Sequence, residues 1–377
     1  MSATTSRRRG LLDWKGVLGL VISAAALYFT FSRMELRSVM SELRAADPFL
    51  FILSAAAITG VFWIRAWRWK AILAPVADVS FRSRFSAVTI GFMGNNVLPA
   101  RVGEFMRAYA LSRTEPVPIV ASFASLLIER IFDGIFVIAL LFIAMAMPDF
   151  PPFSGSQAID LPGVDATITI AGLAKSLGVI IIAALLVIGM LVAFPRRAVR
   201  TLESLVRVLP RKVRRPIVDA LEAFLSGTGV LREPLLLLRI AAWSLFLWVY
   251  NAVGAWVAFR AFGFDLPFTA ALFLQSAIAL AVSIPSAPGF VGPYHGMVVF
   301  VLAKLWGAPA EQAGAFAIGF HLAGFIPVTV IGLYYAWRMG LSLGEVRESE
   351  EIVEEAVEQE LDVEDRPDSS GPRPFPR

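Results

Sequence analysis

The sequence predicts an all-α polytopic membrane protein with six full transmembrane helices and two re-entrant helical hairpins, about eight hydrophobic segments in two inverted-topology halves. Of its 377 residues 57% are apolar and 17% are charged. A soluble domain of this size needs more polar residues on its surface. Six apolar runs approach the ~20 residues that cross a bilayer, at about 16–32, 48–66, 118–147, 171–194, 234–260 and 312–338.

The orientation of the chain follows from its basic residues, which collect on the cytoplasmic side of a membrane. The segment 195–216 carries eight Arg or Lys against a single Glu, whereas 148–170 carries three Asp and no basic residue. We therefore expect 195–216 inside and 148–170 outside. The basic residues at 7–9 place the N-terminus inside, and counting the six spans from there places the C-terminus inside as well. The expected location is a bacterial inner membrane, with several passes and both termini in the cytoplasm.

Two further apolar segments, about 85–111 and 268–306, are interrupted by Gly, Pro and polar residues. If 85–111 crossed the membrane, the basic segment 195–216 would lie outside. A hairpin that enters and leaves from the cytoplasmic side removes this conflict, and the same counting makes 268–306 a hairpin entering from outside. Each half then has the order span, span, hairpin, span.

A short repeat supports the two halves, because P-x-x-V-G occurs at 99–103 and again at 288–292. Broken helices at matching positions of inverted halves indicate the substrate site of a transporter. We predict a transmembrane domain over 1–340, with halves of about 10–195 and 196–340. An acidic, partly disordered cytoplasmic tail follows at 341–377.

The first hairpin contains a polar cluster: Asn95, Asn96, Arg101, Glu104 and Arg107. A helix over about 100–112 would begin after a proline, and its N-terminal amides with Arg101 would form a seat for a phosphate. Arg101, Glu104 and Arg107 recur every three residues and share one helix face. The alternative is a ladder of ion pairs at the membrane interface.

A second cluster interrupts the apolar run 118–147 with Glu129, Arg130 and Asp133. The two carboxylates are four residues apart and repel each other unless a cation lies between them. We expect Arg101 or Arg107 to be that cation. The cluster would bind substrate or only hold the hairpin against the span, and one network can do both.

Other candidates lie in 64–70 and in the second hairpin. Arg65 and Arg68 are interfacial anchors or guides for an anionic head group. The candidate site residues of the second hairpin include no Arg or Glu, which indicates a gate or an uncharged half-site. They are Gly289, Gly292, Tyr294 and His295. His321 lies among small residues, a pattern typical of close helix contacts. With no Cys and two His, we expect no metal and no cofactor.

Together these motifs resemble the flippase-like transmembrane domain of the lysylphosphatidylglycerol synthases, including free-standing UPF0104-like members. The resemblance rests on R-x-x-R-W at 65–69, N-N-x-L-P-x-R-x-G-E-x-x-R at 95–107, E-R-x-x-D at 129–133 and P-S-A-P-G-x-x-G at 285–292. It implies translocation of a lipid with a phosphate-bearing or aminoacylated head group. The chain lacks the aminoacyltransferase domain of the bifunctional synthases, so lipid synthesis is not implied.

The function expected is therefore transport, not catalysis: movement between leaflets of an anionic or aminoacylated phospholipid, or of a polyprenyl or hopanoid-type lipid. One alternative is an intramembrane lipid-modifying enzyme with Glu104, Glu129 or Asp133 as its base. Another is a non-transporting scaffold for such an enzyme. The expected partner is a membrane lipid, with a second copy of the chain and a lipid-synthesising enzyme as further candidates. Nucleic acid is not expected, because the excess positive charge is spread over loops.

Overall fold

The computed structural model describes residues 14–32, 34–98, 101–151, 158–160, 167–169, 234–283, 286–341 and 352–353. Within these ranges ten α-helices form: α1 Trp14–Phe31, α2 Leu36–Ala45, α3 Pro48–Leu73, α4 Phe81–Val97, α5 Gly103–Thr114, α6 Ile119–Ala146, α7 Pro234–Ala261, α8 Phe268–Ala281, α9 Pro293–Val299 and α10 Ala310–Arg338. A 3-10 turn at Pro288–Phe290 precedes α9, and a π-helical turn at Phe300–Leu305 continues it. The predicted helical architecture is confirmed, with one small addition in the segment 148–170. There β1, Ala158–Asp160, pairs antiparallel with β2, Thr167–Thr169.

Three of the described helices, α3, α7 and α10, are long and apolar enough to cross a membrane. The pair α1 and α2 passes the same test together, with a bend of 84° between them. Helix α6 is as long as α7 but carries three ionised residues. Large apolar side chains are left exposed, among them Leu235 at 80% and Trp337 at 75%, which lipid accommodates and water does not. The predicted run 171–194 and the basic segment 195–216 lie outside the described residues.

The helices of the second half repeat those of the first. Helices α3, α4, α5 and α6 begin at 48, 81, 103 and 119, and α7, α8, α9 and α10 begin at 234, 268, 293 and 310. These separations stay close to the offset of the P-x-x-V-G motif. Contacts repeat as well, because α4 packs on α10 as α8 packs on α6, and α5 packs on α6 as α9 packs on α10.

The equivalent helices α3 and α7 pack against each other along most of their length and run antiparallel. Near the start of α3, the Asp47 amide donates to the Ala261 carbonyl at 2.8 Å. Two turns further in, the Ser54 hydroxyl donates to the Gly254 carbonyl at 2.9 Å. Equivalent helices that run antiparallel are related by rotation about an axis perpendicular to them, which inverted halves require. The membrane side of each loop stays a prediction.

Both interrupted segments fold as helical hairpins. In the first, α4 and α5 pack so closely that a Cβ on Gly91 would lie 2.8 Å from the Gly103 carbonyl oxygen. In the second, α8 packs on α9. The two tips meet, because the 3-10 turn of the second hairpin contacts α4 of the first. The helix predicted at about 100–112 begins at Gly103, and residues 99 and 100 lie outside the described ranges.

Candidate functional site

A buried cluster of ionised side chains lies where α3, α5 and α6 meet. Helix periodicity places Arg65 and Arg68 on one face of α3, and Glu129 and Asp133 on one face of α6. The exposed fractions are 6% for Arg65, 0% for Arg68 and Glu129, and 5% for Asp133. Charges withdrawn from solvent to this degree need partners, and each of these side chains has several.

Asp133 is held mainly by α3 and α7. Its Oδ1 accepts from Arg68 Nη1 at 2.5 Å and from Trp248 Nε1 at 3.1 Å, and its Oδ2 lies 3.2 Å from Arg65 Nη1. Ser244, also on α7, accepts from Arg68 Nη1 at 3.1 Å. These contacts tie the two equivalent helices α3 and α7 to the charged face of α6.

Glu129 is held by α5 and α3. Arg107 donates to both carboxylate oxygens, from Nη1 at 2.9 Å and from Nη2 at 2.8 Å. Arg65 Nη1 and Arg68 Nη2 approach Glu129 Oε1 at 3.3 Å and 3.2 Å. Each of these two α3 arginines therefore lies between the carboxylates of Glu129 and Asp133, and relieves the repulsion that their spacing predicted.

The prediction that Arg101 or Arg107 is the counter-ion is confirmed for Arg107. Arg107 pairs with Glu129, and its guanidinium lies 3.9 Å from the centre of the Trp69 ring. Arg101 contacts neither carboxylate. It reaches the other hairpin instead, where its Nη2 donates to the Val282 carbonyl at 2.5 Å. The sequence missed Arg65 and Arg68 as counter-ions because they lie more than sixty residues from Glu129 and Asp133, and no local spacing reports such a contact.

The interfacial-anchor alternative for the segment 64–70 is wrong for its two arginines, which point inward. It fits the aromatic residues on the opposite face of α3, because Trp63 and Trp67 are 58% and 48% exposed. The alternation of buried Arg with exposed Trp follows from the helix period.

The positive charges of the cluster outnumber the negative ones. Four arginines, at 65, 68, 107 and 130, face Glu104, Glu129 and Asp133. Arg130 pairs with Glu129 at 3.2 Å, with Asp133 at 3.7 Å and with Glu104 at 3.7 Å, yet its side chain stays 41% exposed. Arg101 adds a further exposed cation near Arg130. Arg101 and Arg130 are the exposed guanidinium groups of this region, and Arg65, Arg68 and Arg107 are buried.

The asparagines of the first hairpin hold the break between α4 and α5. Asn95 Oδ1 accepts from the Gly103 amide at 3.0 Å and so satisfies the first amide of α5. Asn96 Nδ2 donates to the hydroxyl of Thr329 on α10 at 2.8 Å. The predicted phosphate seat at the start of α5 thus has one of its amides occupied by the chain itself.

A cavity of about 200 Å³ lies between the two hairpin tips and helices α3, α7 and α10. Arg65 lines it and connects it to the charged cluster. Much of the wall is aromatic: Phe62, Phe92, Phe290, Phe320 and Phe325. The polar lining consists of Arg65, Asn96, Asn251, Gln275, Tyr294 and His321. Sequence reasoning overlooked Asn251 and Gln275, although a lone polar residue within an apolar run is itself a signal.

The residues singled out in the second hairpin divide between the cavity and its rear wall. Gly289 has φ 70° and lies against Phe325. Gly292 has φ 101°, and a Cβ there would lie 2.7 Å from the Ser23 carbonyl oxygen of α1. Tyr294 lines the cavity, and His295 is buried behind it. These four residues of the second hairpin lie at or near its tip. None of them is among the described ion-pair partners of Glu129 and Asp133.

The apolar spans, the broken helices and the buried ion cluster define a multi-pass membrane protein with a polar site inside its helical core. The chain matches the model of one protein family, described as the lysylphosphatidylglycerol synthase TM region, over residues 16–332. It belongs to that family. Nothing in the part of the chain that matches corresponds to an aminoacyltransferase domain.

Among curated proteins, the chain is 28% identical over 321 residues to the glycosyltransferase AglD of Haloferax volcanii. The match covers 80% of this chain and 50% of AglD, so the chain spans half the length of that relative. It is 24% identical to a UPF0104 membrane protein of Methanothermobacter thermautotrophicus, with 88% of this chain and 97% of the relative covered. A second UPF0104 membrane protein of the same organism is 24% identical over 80% of this chain and 88% of its own. No solved structure matches the chain.

Proposed function

We propose that this protein moves a lipid with an anionic head group from one leaflet of its membrane to the other, without covalent chemistry. The observation that carries the proposal is the pair of exposed guanidinium groups, Arg101 and Arg130, beside a cluster with surplus positive charge. Arg101 donates to Val282, which lines the cavity between the hairpin tips. Ionised residues inside a membrane domain are expensive, and they commonly mark substrate pathways.

Arg101 and Arg130 would hold the head group. Arg130 is positioned by three carboxylates and still presents part of its guanidinium to the outside of the cluster. A phosphate accepts strong, charge-assisted hydrogen bonds from such groups. Arg68 and Arg107 are assigned a different role, because both are buried and engaged with Glu129 or Asp133. Arg68 and Arg107 therefore hold the site together. Arg101 and Arg130 carry the positive charge that is available to the head group.

The lipid chains would remain in the bilayer or rest against the aromatic wall of the cavity. Transport would follow from a change in the contact between the hairpin tips, with each half opening in turn toward one leaflet. The expected setting is an inner membrane with both termini in the cytoplasm. A second copy of the chain and a lipid-synthesising enzyme remain candidate partners.

The lipid belongs to a class defined by its phosphate. Family membership favours a phospholipid, with or without an aminoacyl group. The relative AglD is a glycosyltransferase by name, and this chain matches half of it. That relationship adds a second candidate substrate with a phosphate head group: a polyprenyl phosphate, the kind of lipid that carries glycans.

The enzyme alternative has weaker support in the site. A general base needs a carboxylate that is free to accept a proton from substrate. Glu129 and Asp133 are each engaged by three or more arginines. Of the three carboxylates in the cluster, Glu104 is the most accessible, because 27% of its side chain is exposed, against 0% for Glu129 and 7% for Asp133.

Reconstitution tests the proposal. Purified protein in liposomes should speed the transfer of fluorescently labelled phosphatidylglycerol, lysylphosphatidylglycerol or polyprenyl phosphate, measured by quenching of the outer-leaflet label. Phosphatidylcholine, which has no net charge, should move more slowly. Replacing Arg101 and Arg130 together by Gln should reduce the rate about tenfold or more, because each removes a charge-assisted contact. Arg260→Gln is the matched control, since Arg260 is exposed and pairs with Asp265 away from the site.

Chromatography of the recovered lipids distinguishes transport from the lipid-modifying enzyme. Unchanged lipids on the opposite leaflet support transport. Chemically altered lipids on the original leaflet would support the enzyme, and Glu104→Gln should then abolish the reaction. Lipids that neither move nor change, with all three phosphate-bearing substrates, would contradict both and favour the scaffold.

A further inference from the structure

The cavity between the hairpin tips adjoins an arginine that is proposed to hold the lipid phosphate. Arg101 Nη2 donates to the Val282 carbonyl at 2.5 Å, and the Arg101 guanidinium lies 5.6 Å from the centre of the Phe290 ring. Val282 and Phe290 both line the cavity. A phosphate held by Arg101 would therefore place the group attached to that phosphate at the cavity wall.

The size of the cavity limits what can enter it. Its volume of about 200 Å³ is below the roughly 300–1,000 Å³ of sites that hold a drug-sized ligand. One small group, such as a glycerol or a single sugar ring, matches this volume better than a whole lipid does. The cavity therefore takes part of a head group, and the lipid chains stay in the bilayer.

The charge of the cavity wall disfavours a cation. Arg65 lines the cavity, and no carboxylate lines it among the described residues. Glu129 and Asp133 are absent from this wall and are already paired with arginines. An amine in the cavity would meet a positive group and no free negative one. A charge buried without a partner is costly.

The other polar groups of the wall are uncharged, and several of their atoms have no partner. The Asn251 amide and the Tyr294 hydroxyl form no side-chain hydrogen bond within the described part of the structure. Gln275 Nε2 donates to the Asn251 carbonyl at 3.1 Å. Asn96 Nδ2 donates to the Thr329 hydroxyl at 2.8 Å. The side-chain oxygens of Gln275 and Asn96 remain as acceptors for a ligand.

Ring contacts fix the position of two of these polar residues. Tyr294 is 9% exposed and stacks on His321, with ring centres 4.5 Å apart. His321 in turn lies 4.9 Å from the ring of His295, nearly perpendicular to it. Tyr294 and His321 therefore present their polar atoms from packed positions, which lowers the entropy cost of binding.

A hydroxyl group matches this wall, because it donates one hydrogen bond and accepts others. The amides and the phenol offer both kinds of partner, and the aromatic residues offer faces for the C–H groups of the same ligand. A ligand without hydroxyls would leave the polar groups of the wall unpaired. Sites built to bind a hydroxyl discriminate strongly against analogues that lack it.

We propose that the cavity binds the uncharged, hydroxyl-bearing end of the head group, a glycerol or a single sugar, and rejects a head group that ends in an amine. This assignment rests on the proposed transport function, since the phosphate of the same lipid lies on Arg101. Among lipids with a phosphate, the cavity selects phosphatidylglycerol over its lysyl ester. It likewise selects a polyprenyl phosphate that carries a sugar over one that does not.

Competition for binding tests this selectivity without any transport. Purified protein in detergent is mixed with equal amounts of two lipids, and native mass spectrometry measures which one is retained. Phosphatidylglycerol should be retained about tenfold more than phosphatidylpropanol, which has the same charge and lacks the two hydroxyls. It should also be retained about tenfold more than lysylphosphatidylglycerol.

A second pair of lipids identifies the source of the hydroxyls. Polyprenyl phosphate with one hexose competes against bare polyprenyl phosphate in the same experiment. A larger preference in this pair assigns the cavity to a sugar, and a larger preference for phosphatidylglycerol over phosphatidylpropanol assigns it to glycerol. No preference in either pair would overturn the proposal.

Two matched variants locate the selectivity in the cavity. Gln275 and Gln312 each donate from Nε2 to a backbone carbonyl, at 3.1 Å and 2.7 Å, but Gln275 lines the cavity and Gln312 does not. Gln275→Glu should shift retention about tenfold toward lysylphosphatidylglycerol, because a carboxylate pairs with the amine. Gln312→Glu should keep the wild-type ratio. Asn251→Leu should weaken the preference for phosphatidylglycerol over phosphatidylpropanol.

The outcomes separate the cavity from the transport function. Selective retention without lipid movement in liposomes supports the cavity and contradicts transport. Equal retention of all the lipids, with movement of all of them, supports transport and overturns the cavity. An equal shift in Gln275→Glu and Gln312→Glu, or retention of none of the lipids, would also overturn it. The wild-type comparisons need no variant, so they decide the matter even where a variant fails to fold.

Discussion

Arg101 and Phe290 adopt the same unusual backbone conformation, with φ 59° and φ 60°, and lie against each other. They are the non-glycine residues with positive φ in the described ranges, and they are 189 residues apart. Each occupies the third position of a P-x-x-V-G motif. The chain thus builds one turn twice and brings the two copies into contact, although such a residue costs about 1–3 kcal/mol of backbone strain. Packing between the hairpin tips holds both in place.

The two halves share this turn but differ in charge. At the same offset, the positions of Arg107 and Glu129 are occupied in the second half by Gly296 and Ile318. Ionised residues therefore line one half of the core, while aromatic and neutral polar residues line the other. An asymmetric ligand with a charged head and an apolar body matches this division.

The orientation of the halves can be tested at two equivalent loops. The side chains of Asp78 and Asp265 are 87% and 91% exposed, and the charge pattern places them on opposite sides of the membrane. A membrane-impermeant maleimide applied to intact cells should label Asp265→Cys and not Asp78→Cys, while permeabilised cells should label both. Labelling of both in intact cells would contradict the inverted arrangement.

The antiparallel contact of α3 with α7 can be tested by cross-linking. A Cβ on Gly254 would lie 3.6 Å from Ala57 Cβ, within the range that a disulfide spans. The double variant Ala57→Cys with Gly254→Cys should form a cross-link under mild oxidation, detected on a gel after cleavage of the chain between the two helices. Val253→Cys, one residue away on an exposed part of α7, should cross-link with Ala57→Cys far less. Equal yields would argue against the packing.

Removing Glu129 should destabilise the protein strongly. Glu129→Ala leaves buried arginines without their counter-ion, which costs about 3–5 kcal/mol and should lower the melting temperature by at least about 6 °C. Glu104→Ala is the matched control, because Glu104 makes a 3.7 Å contact with a partly exposed Arg130, a pair worth about 1 kcal/mol or less. Thermal unfolding of both purified variants in one detergent is the measurement. Similar melting temperatures would mean that the cluster is solvated.

Arg101→Gly should separate stability from transport. Glycine adopts positive φ without strain, so the melting temperature should stay within a few degrees of the wild type. Lipid movement in liposomes should fall about tenfold, because the head group loses a charge-assisted contact. Arg101→Lys keeps the charge and should retain more of the rate. Transport at the wild-type rate in Arg101→Gly would remove Arg101 from the site.

Local patterns predicted much of this protein. The apolar runs located α1, α6, α7 and α10 to within two residues, because a helix that crosses lipid must be long and apolar. The run 48–66 located the start of α3, which continues seven residues further, to Leu73. The breaks located both hairpins, since Gly, Pro and Asn within an apolar run interrupt a helix. The four-residue spacing of Glu129 and Asp133 indicated that cations must lie between them, and arginines do.

The start of the returning helix was less predictable. A proline at 99 indicated a helix beginning at about 100, but α5 begins at Gly103, where Asn95 caps it. Capping by a side chain eight residues upstream depends on the close approach of α4 and α5. That approach is a property of packing, and propensity does not report it.

The sequence by itself determined the membrane character of the chain, its helical hairpins, its repeat and the residues that carry charge, because each of these depends on local composition and spacing. Only the tertiary structure decided which arginine serves which carboxylate, that Arg65 and Arg68 point inward, that Arg101 reaches across to Val282, and that the two histidines meet. The physical reason is that an ion pair or a ring contact depends on distance in space. Helices far apart in sequence supply the partners, and their packing sets those distances.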